Sequence, residues 1–234
     1  DPDLPVAREV TGMLLLECGH FAEATEILGS VDRAQASILG LIAKYTVAIQ
    51  AGDVESAERA LQRALSMNPH HGEARHLLAA MHGEPISQPA PGFVESIFSR
   101  LAGRYDQRMA KDLAYQVPRR VAAIVAKLCG STAPLSRWLD LGCGTGLMAA
   151  ALDGVIEINE SVGIDITQNM LTLAGGKNLY HQLILCDATD ALGEMDGRFD
   201  LITAVDLLAY LGDASRTLPL IASRLAPGGI FIYT

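Results

Sequence analysis

After residue 134 the chain alternates short apolar runs with helix-patterned stretches, and this alternation limits its fold more than any other feature. The runs at 138–141, 161–166, 183–186, 199–205 and 230–233 have strand length, and helical signals fill the gaps between them. Apolar strands separated by helices pair in parallel and are covered on both faces. The expected class is therefore α/β, a doubly wound Rossmann-like parallel sheet over residues 93–234. Before the last run, Leu218, Ile221 and Leu225 form a helical stripe that Pro227, Gly228 and Gly229 should end. Two further helices are expected upstream, at 93–114 and 118–129, with Pro118 suited to a first turn.

The first run leads directly into Asp140-Leu141-Gly142-Cys143-Gly144-Thr145-Gly146. Glycines here permit a tight turn and let a ligand approach the backbone at the start of the next helix. Dinucleotide sites use the spacing G-x-G-x-x-G, whereas here the third glycine comes one position early. The carboxylate two places before the first glycine would repel a pyrophosphate and suits an ammonium group. A nicotinamide oxidoreductase is disfavoured on both counts. Asp165 ends the second run, about twenty residues on, where a carboxylate can accept both hydroxyls of a ribose. A helix cap is the competing role for Asp165, but Thr167 already offers one. Ile166 would lie against an adenine face, and Asp187, after the third run and before Ala188, could take its amino group. Three carboxylates at successive strand ends converge where open α/β sheets bind ligands.

These segments, with 199–213, 225–234 and the upstream pattern Phe98, Ala102, Tyr105, Asp106, resemble the class I S-adenosylmethionine-dependent methyltransferases. The resemblance implies S-adenosylmethionine as cofactor and an O or N acceptor on a protein or small molecule. It places Asp140 and Gly142 at the methionine end, with Cys143, Gly144 and Gly146 in the same turn. It gives Asp165 and Ile166 to the nucleoside, Asp187 and Ala188 to the adenine, and adds Met170 and Ala204 to the binding set. Tyr105 would lie near the sulfonium. Asp206 and Tyr210 stand where a general base would, although cofactor contact and helix packing are competing roles; His181 is a weaker candidate. The family sheet has seven strands and this sequence reaches only the fifth, so a C-terminal part is expected beyond Thr234.

Residues 1–82 read as a separate all-α domain, joined through a linker at 83–92 that holds three prolines and two glycines. The stretch at 18–24 realigns with 51–57 at an offset of 33, a period typical of paired-helix solenoids. Ala57, Leu61 and Ala64 share a helix face, and Asn68-Pro69 should stop that helix. This resembles the tetratricopeptide repeat, with a degenerate first copy in which Val31 and Ala36 replace the pattern's alanine and proline. A capping helix follows at 71–81. So short an array is expected to lean on other surfaces and to bind or orient a protein partner, or else to act as a spacer. The pairing resembles predicted bacterial methyltransferases that contain such repeats. A non-catalytic repeat scaffold with a vestigial cofactor domain is the alternative.

A formal charge of −9 argues against a nucleic-acid binder. Residues 100–127 are nonetheless locally basic, through Arg100, Arg104, Arg108, Lys111, Arg119, Arg120 and Lys127. That is either a solvated face or a dock for an acidic substrate. Cys18, Cys129, Cys143 and Cys186 show neither metal nor disulfide spacing, so reduced thiols in a cytoplasmic protein are expected. His70, His71, His76 and His82 lack ligand spacing, so no metal is expected. No apolar run reaches a membrane-spanning length, and no signal peptide is evident. The start at Asp1 without Met suggests further sequence ahead of it, and the oligomeric state is not legible.

Overall fold

The computed structural model describes residues 4–32, 35–84, 92–112, 114–129, 134–211 and 214–234. Most of the expected linker, 85–91, lies outside them. The chain divides into two compact units: the described residues up to Glu84, with Gly92 and Phe93, form one, and Val94 onward the other.

The first unit is built from helices α1 (Pro5–Glu17), α2 (Phe21–Gly29), α3 (Ile38–Gln50), α4 (Val54–Met67) and α5 (Gly72–Met81). α1 and α3, and likewise α2 and α4, begin 33 residues apart, so the sequence period is a repeat of helix pairs. Gly19 (φ +80°) and Gly52 (φ +74°) occupy the same place in the two pairs, in the left-handed region that ends a helix at low cost. Asp53 caps α4 by accepting from the Ser56 amide at 3.0 Å, whereas His20, its counterpart, makes no capping bond with its side chain. Ala24 and Ala57, one period apart, are both fully buried, as are Leu61 and Ala64. Val31 and Ala36 fill the same core despite departing from the pattern. His71 caps α5 through Nδ1, which accepts from the Ala74 amide. A buried contact not legible in sequence joins the pairs: Glu9 accepts from the Ser37 amide (2.8 Å) and the Ser37 hydroxyl (2.6 Å) at the start of α3. An anion is favoured there by the helix dipole. Gly40 makes room for it, since a Cβ at that position would sit 2.1 Å from the Glu9 carboxylate.

The second unit opens with α6 (Phe93–Gln107), whose first residue belongs to the other unit, and α7 (Val117–Cys129). The helix expected at 93–114 is shorter than its pattern. It ends at Gln107 and continues as a π-helical turn over Arg108–Asp112, and the Tyr115 amide then reaches back to the Met109 carbonyl at 2.9 Å. Ala114 takes φ +45°, which no right-handed helix accommodates.

The sheet comprises β1 (Leu135–Leu141), β2 (Ile158–Asp165), β3 (Gln182–Leu185), β4 (Phe199–Ala204) and β5 (Leu225–Tyr233). Its order is β3-β2-β1-β4-β5 with every pairing parallel, as the strand–helix alternation demands. Between the strands lie α8 (Leu147–Leu152), α9 (Gln168–Gly176), α10 (Ala188–Glu194), α11 (Leu208–Leu211) and α12 (Thr217–Arg224). Side chains of a strand alternate between faces. Leu139 and Leu141 accordingly pack in one core with Ala191, Leu192 and Ile221, while Trp138 packs in another with Val121, Val125 and Met148. The stripe expected at 218, 221 and 225 is corrected in two respects. Leu218 is exposed, and Leu225 is already strand, paired with Phe199 before a register shift in which Ala226 to Gly229 bulge out. Among the described residues no helix is long and apolar enough to cross a membrane.

Because Leu61 is fully buried, Leu61→Ala should lower stability by about 2–5 kcal/mol through lost contact and a residual cavity. Val54→Ala, at an exposed site on the same helix, should change it by less than about 0.5 kcal/mol, as read from urea unfolding monitored by helical circular dichroism.

Candidate functional site

Parallel strands all end on one side, and the chain must leave each strand there through a loop. The loop after β1 holds Gly142 (φ +66°) and Gly144 (φ +54°). A Cβ on Gly142 would stand 2.9 Å from Leu207, so a side chain is excluded twice over, by conformation and by space. The turn is tied to the neighbouring strand by Asp165, which ends β2. Its Oδ2 accepts from the Gly144 amide at 2.8 Å, and its Oδ1 accepts from the Thr167 amide at 2.9 Å. Thr167 makes no capping bond with its own side chain, contrary to the role expected of it. Asp187, after β3, caps α10 with Oδ1, which accepts from the Thr189 amide at 2.8 Å.

These strand ends surround a cavity of about 360 Å³. Tyr105, Gly142, Gly144, Asp165, Ile166, Met170, Asp187, Ala188, Asp206 and Tyr210 all line it, so ten of the residues singled out from sequence meet in one place. Four others of that set are not among the lining residues. Asp140 is buried below the turn, Cys143 is nearly buried, Gly146 starts α8 against the Tyr180 ring, and Ala204 lies in the sheet core. His181 stands before β3, at the opposite end of that strand, with Nδ1 2.9 Å from the Ser161 hydroxyl.

Beneath the turn runs a fully partnered polar chain. Trp138 Nε1 donates to the Thr203 hydroxyl (2.9 Å), which donates to Asp140 Oδ1 (2.7 Å), and the Tyr180 hydroxyl donates to Oδ2 (2.6 Å). Burial raises the Asp140 pKa to about 6; the Thr203 and Tyr180 bonds oppose that rise and the Asp165 charge adds to it. Burial likewise raises Asp165, against the backbone amides that hold it ionised. Burial, with the charges of Asp206, Asp165 and Asp106 and the Tyr210 phenol, pushes Tyr105 up to about 12, so it keeps its proton at neutral pH.

Several participants were missed by the sequence analysis. Tyr115 donates to Asp206 Oδ2, and Thr234 donates to Oδ1 at 2.6 Å, so both oxygens of that carboxylate accept a hydroxyl. Asp206 itself holds φ +55°, a strained position after β4. Asp106 accepts from the Thr145 hydroxyl and from Lys177 Nζ (2.7 Å), and Lys177 also donates to the Thr145 carbonyl (2.5 Å). α6 is thereby pinned to the glycine turn and forms one wall of the cavity through Ile97, Phe98, Leu101 and Tyr105. The Phe98 ring meets Tyr105 and Tyr210 edge to face, at 6.3 and 5.1 Å. Arg108 and Met109 complete the lining from the π-helical turn. Of these, Phe98, Tyr105 and Asp106 stood in the upstream pattern and Arg108 in the basic stretch; Tyr115, Thr145, Lys177 and Thr234 gave no sequence signal of these pairings because their partners are far apart in the chain.

Residues 139–233 match the family model described as "Methyltransferase domain". Among curated proteins the chain is similar to an uncharacterized protein of Synechococcus sp., 36% identical over 42% of this chain and 25% of that protein. It is similar also to methyltransferase-like protein 27 of Homo sapiens, 31% identical over 58% and 54%. A ubiquinone biosynthesis O-methyltransferase of Thiobacillus denitrificans is 31% identical over 44% and 46%. The chain spans about half, or less, of the length of these relatives.

The raised Asp140 pKa has a definite sign in stability. Below the ordinary carboxylate pKa of 3.8 the group is neutral in both folded and unfolded chains; as pH rises through about 6 the fold must hold a buried charge, and stability is lost. Relative to Asp140→Asn, which stays neutral, the wild type should lose about 2–3 kcal/mol between pH 3.5 and pH 7 in urea titrations. Equal slopes for the two proteins would contradict the burial argument.

Proposed function

We propose that this chain is an S-adenosylmethionine-dependent methyltransferase whose cofactor lies in the cavity at the strand ends. The observation that carries this reading is one cavity lined at once by Gly142 and Gly144 of the turn, Asp165 and Asp187. The fit to the cofactor is chemical. The two carboxylates each retain lone pairs beyond those already in use, as acceptors for ribose hydroxyls and an adenine amino group. Ile166 and Met170 offer apolar contact to a purine ring, and the buried Asp140 lends negative potential below the turn, suited to a cationic methionine end. The family match over 139–233 supports the reading independently.

When bound, the cofactor supplies a methyl group on a sulfonium, which passes to an acceptor lone pair while the C–S electrons stay on sulfur as a neutral thioether. The protein's share is alignment and exclusion of water. Phe98, Tyr105 and Tyr210 make an aromatic wall, and Asp106 holds α6 in place. Asp206 accepts a hydroxyl on each oxygen, from Tyr115 and Thr234, and so anchors Tyr115 beside the cavity. Tyr210 remains the lining hydroxyl available for proton handling, and no base is required for an acceptor already ionised at working pH. An oxygen acceptor is favoured by similarity to the O-methyltransferase. We assign the helical unit, on its period of 33 and its buried alanines, to a tetratricopeptide-like array that binds a protein partner or presents the acceptor.

Calorimetric titration with S-adenosylmethionine and with S-adenosylhomocysteine tests the reading. Micromolar affinity is expected, and Asp165→Ala should weaken it at least tenfold, since it removes both the ribose acceptor and the tie to Gly144. No binding of either ligand below millimolar would sink it.

A further inference from the structure

Opposite in character to the glycine turn and the strand-end carboxylates, part of the cavity lining is apolar and aromatic, made by Ile97, Phe98, Leu101, Tyr210 and Leu211. One cation, Arg108, is among the lining residues, and among the described residues it makes no hydrogen bond or ion pair. Two other members of the locally basic stretch are engaged: Arg100 donates to Ser96 at 3.1 Å, and Arg104 also has a partner. A guanidinium at the rim of an apolar cavity is a ready fork for a planar carboxylate.

Charge elsewhere in the cavity sharpens this. Asp206, also among the lining residues, has both oxygens already accepting hydroxyls, from Tyr115 and Thr234. S-adenosylmethionine itself would add one net positive charge. An acceptor with a negative end then meets attraction from Arg108, and one with a positive end does not.

Building on the methyltransferase reading, we propose that the acceptor is a small aryl or similarly flat apolar molecule bearing a carboxylate, its ring against Phe98 and Tyr210 and its carboxylate on Arg108. Ring contacts of this kind add to simple burial, and the ion pair sets orientation. Arg108 is thus a specificity-determining residue, and its position on the π-helical turn, one residue beyond α6, brings it to the cavity lining.

The probes are 3-phenylpropionate, its neutral amide and phenethylamine, three shapes of similar size that differ in charge. Each is titrated calorimetrically into the full chain saturated with S-adenosylhomocysteine. The carboxylate is expected to bind at least tenfold tighter than the amide or the amine. Arg108→Gln should reduce that preference to within about twofold, and Arg108→Lys should restore part of it. Preference for the amine, a carboxylate preference that survives Arg108→Gln, or no binding by any of the three would overturn the proposal. So would a tenfold loss of S-adenosylhomocysteine affinity in Arg108→Gln, because the guanidinium would then serve the cofactor's own carboxylate. Failure of the wild type to bind S-adenosylhomocysteine at all would instead strike the methyltransferase reading, and this proposal with it.

Discussion

The bond from the Gly144 amide to Asp165 is the contact on which the cavity depends. It joins the loop after β1 to the end of β2, fixing a turn in which three of the five residues are glycines. Glycine loses more freedom on folding than any other residue, so a turn of three glycines needs an external tie. Asp165 provides it with one oxygen and steadies the start of α9 with the other. The same carboxylate faces the cavity, so the group that would grip a ribose also shapes the floor beneath it.

Below that floor the sheet supplies rigidity at some cost. Asp140 is sealed between Thr203 and Tyr180, and Trp138 completes the chain of donors. A buried carboxylate without such donors would destabilise the fold by several kcal/mol. With them, Asp140 stays within reach of neutral pH, and the turn above sits over a charge that can be present or absent. The two cores, one on each face of the sheet, hold this arrangement between helical layers.

Much of the second unit was legible in the sequence because its signals are local. Strand runs, a glycine turn and carboxylates at strand ends are all short-range patterns, and the parallel order follows from the helices between them. What escaped notice depends on distant pairing. Tyr115 lies 91 residues from Asp206, and Glu9 lies 28 from Ser37; neither separation leaves a periodic trace. The helix at 93–114 read as continuous because composition does not register a π-helical turn, which the backbone adopts to carry Ala114 into a left-handed conformation. The early start of β5 was hidden by Pro227-Gly228-Gly229, a breaker sequence that here forms a bulge within a strand pairing instead of ending the element before it. Asp140 was visible as an acidic residue but not as a sealed one, since burial is decided by Tyr180, which arrives from 40 residues away.

The Asp106 bridge to Thr145 and Lys177 ties two separate elements of the cavity together. Because α6 is a wall of the cavity and is clasped to the turn at its far end, the clasp fixes where that wall stands. Part of the clasp is an ion pair, half open to water, so dissolved salt loosens it. The position of that wall, and with it the room between α6 and the strand ends, would then track ionic strength.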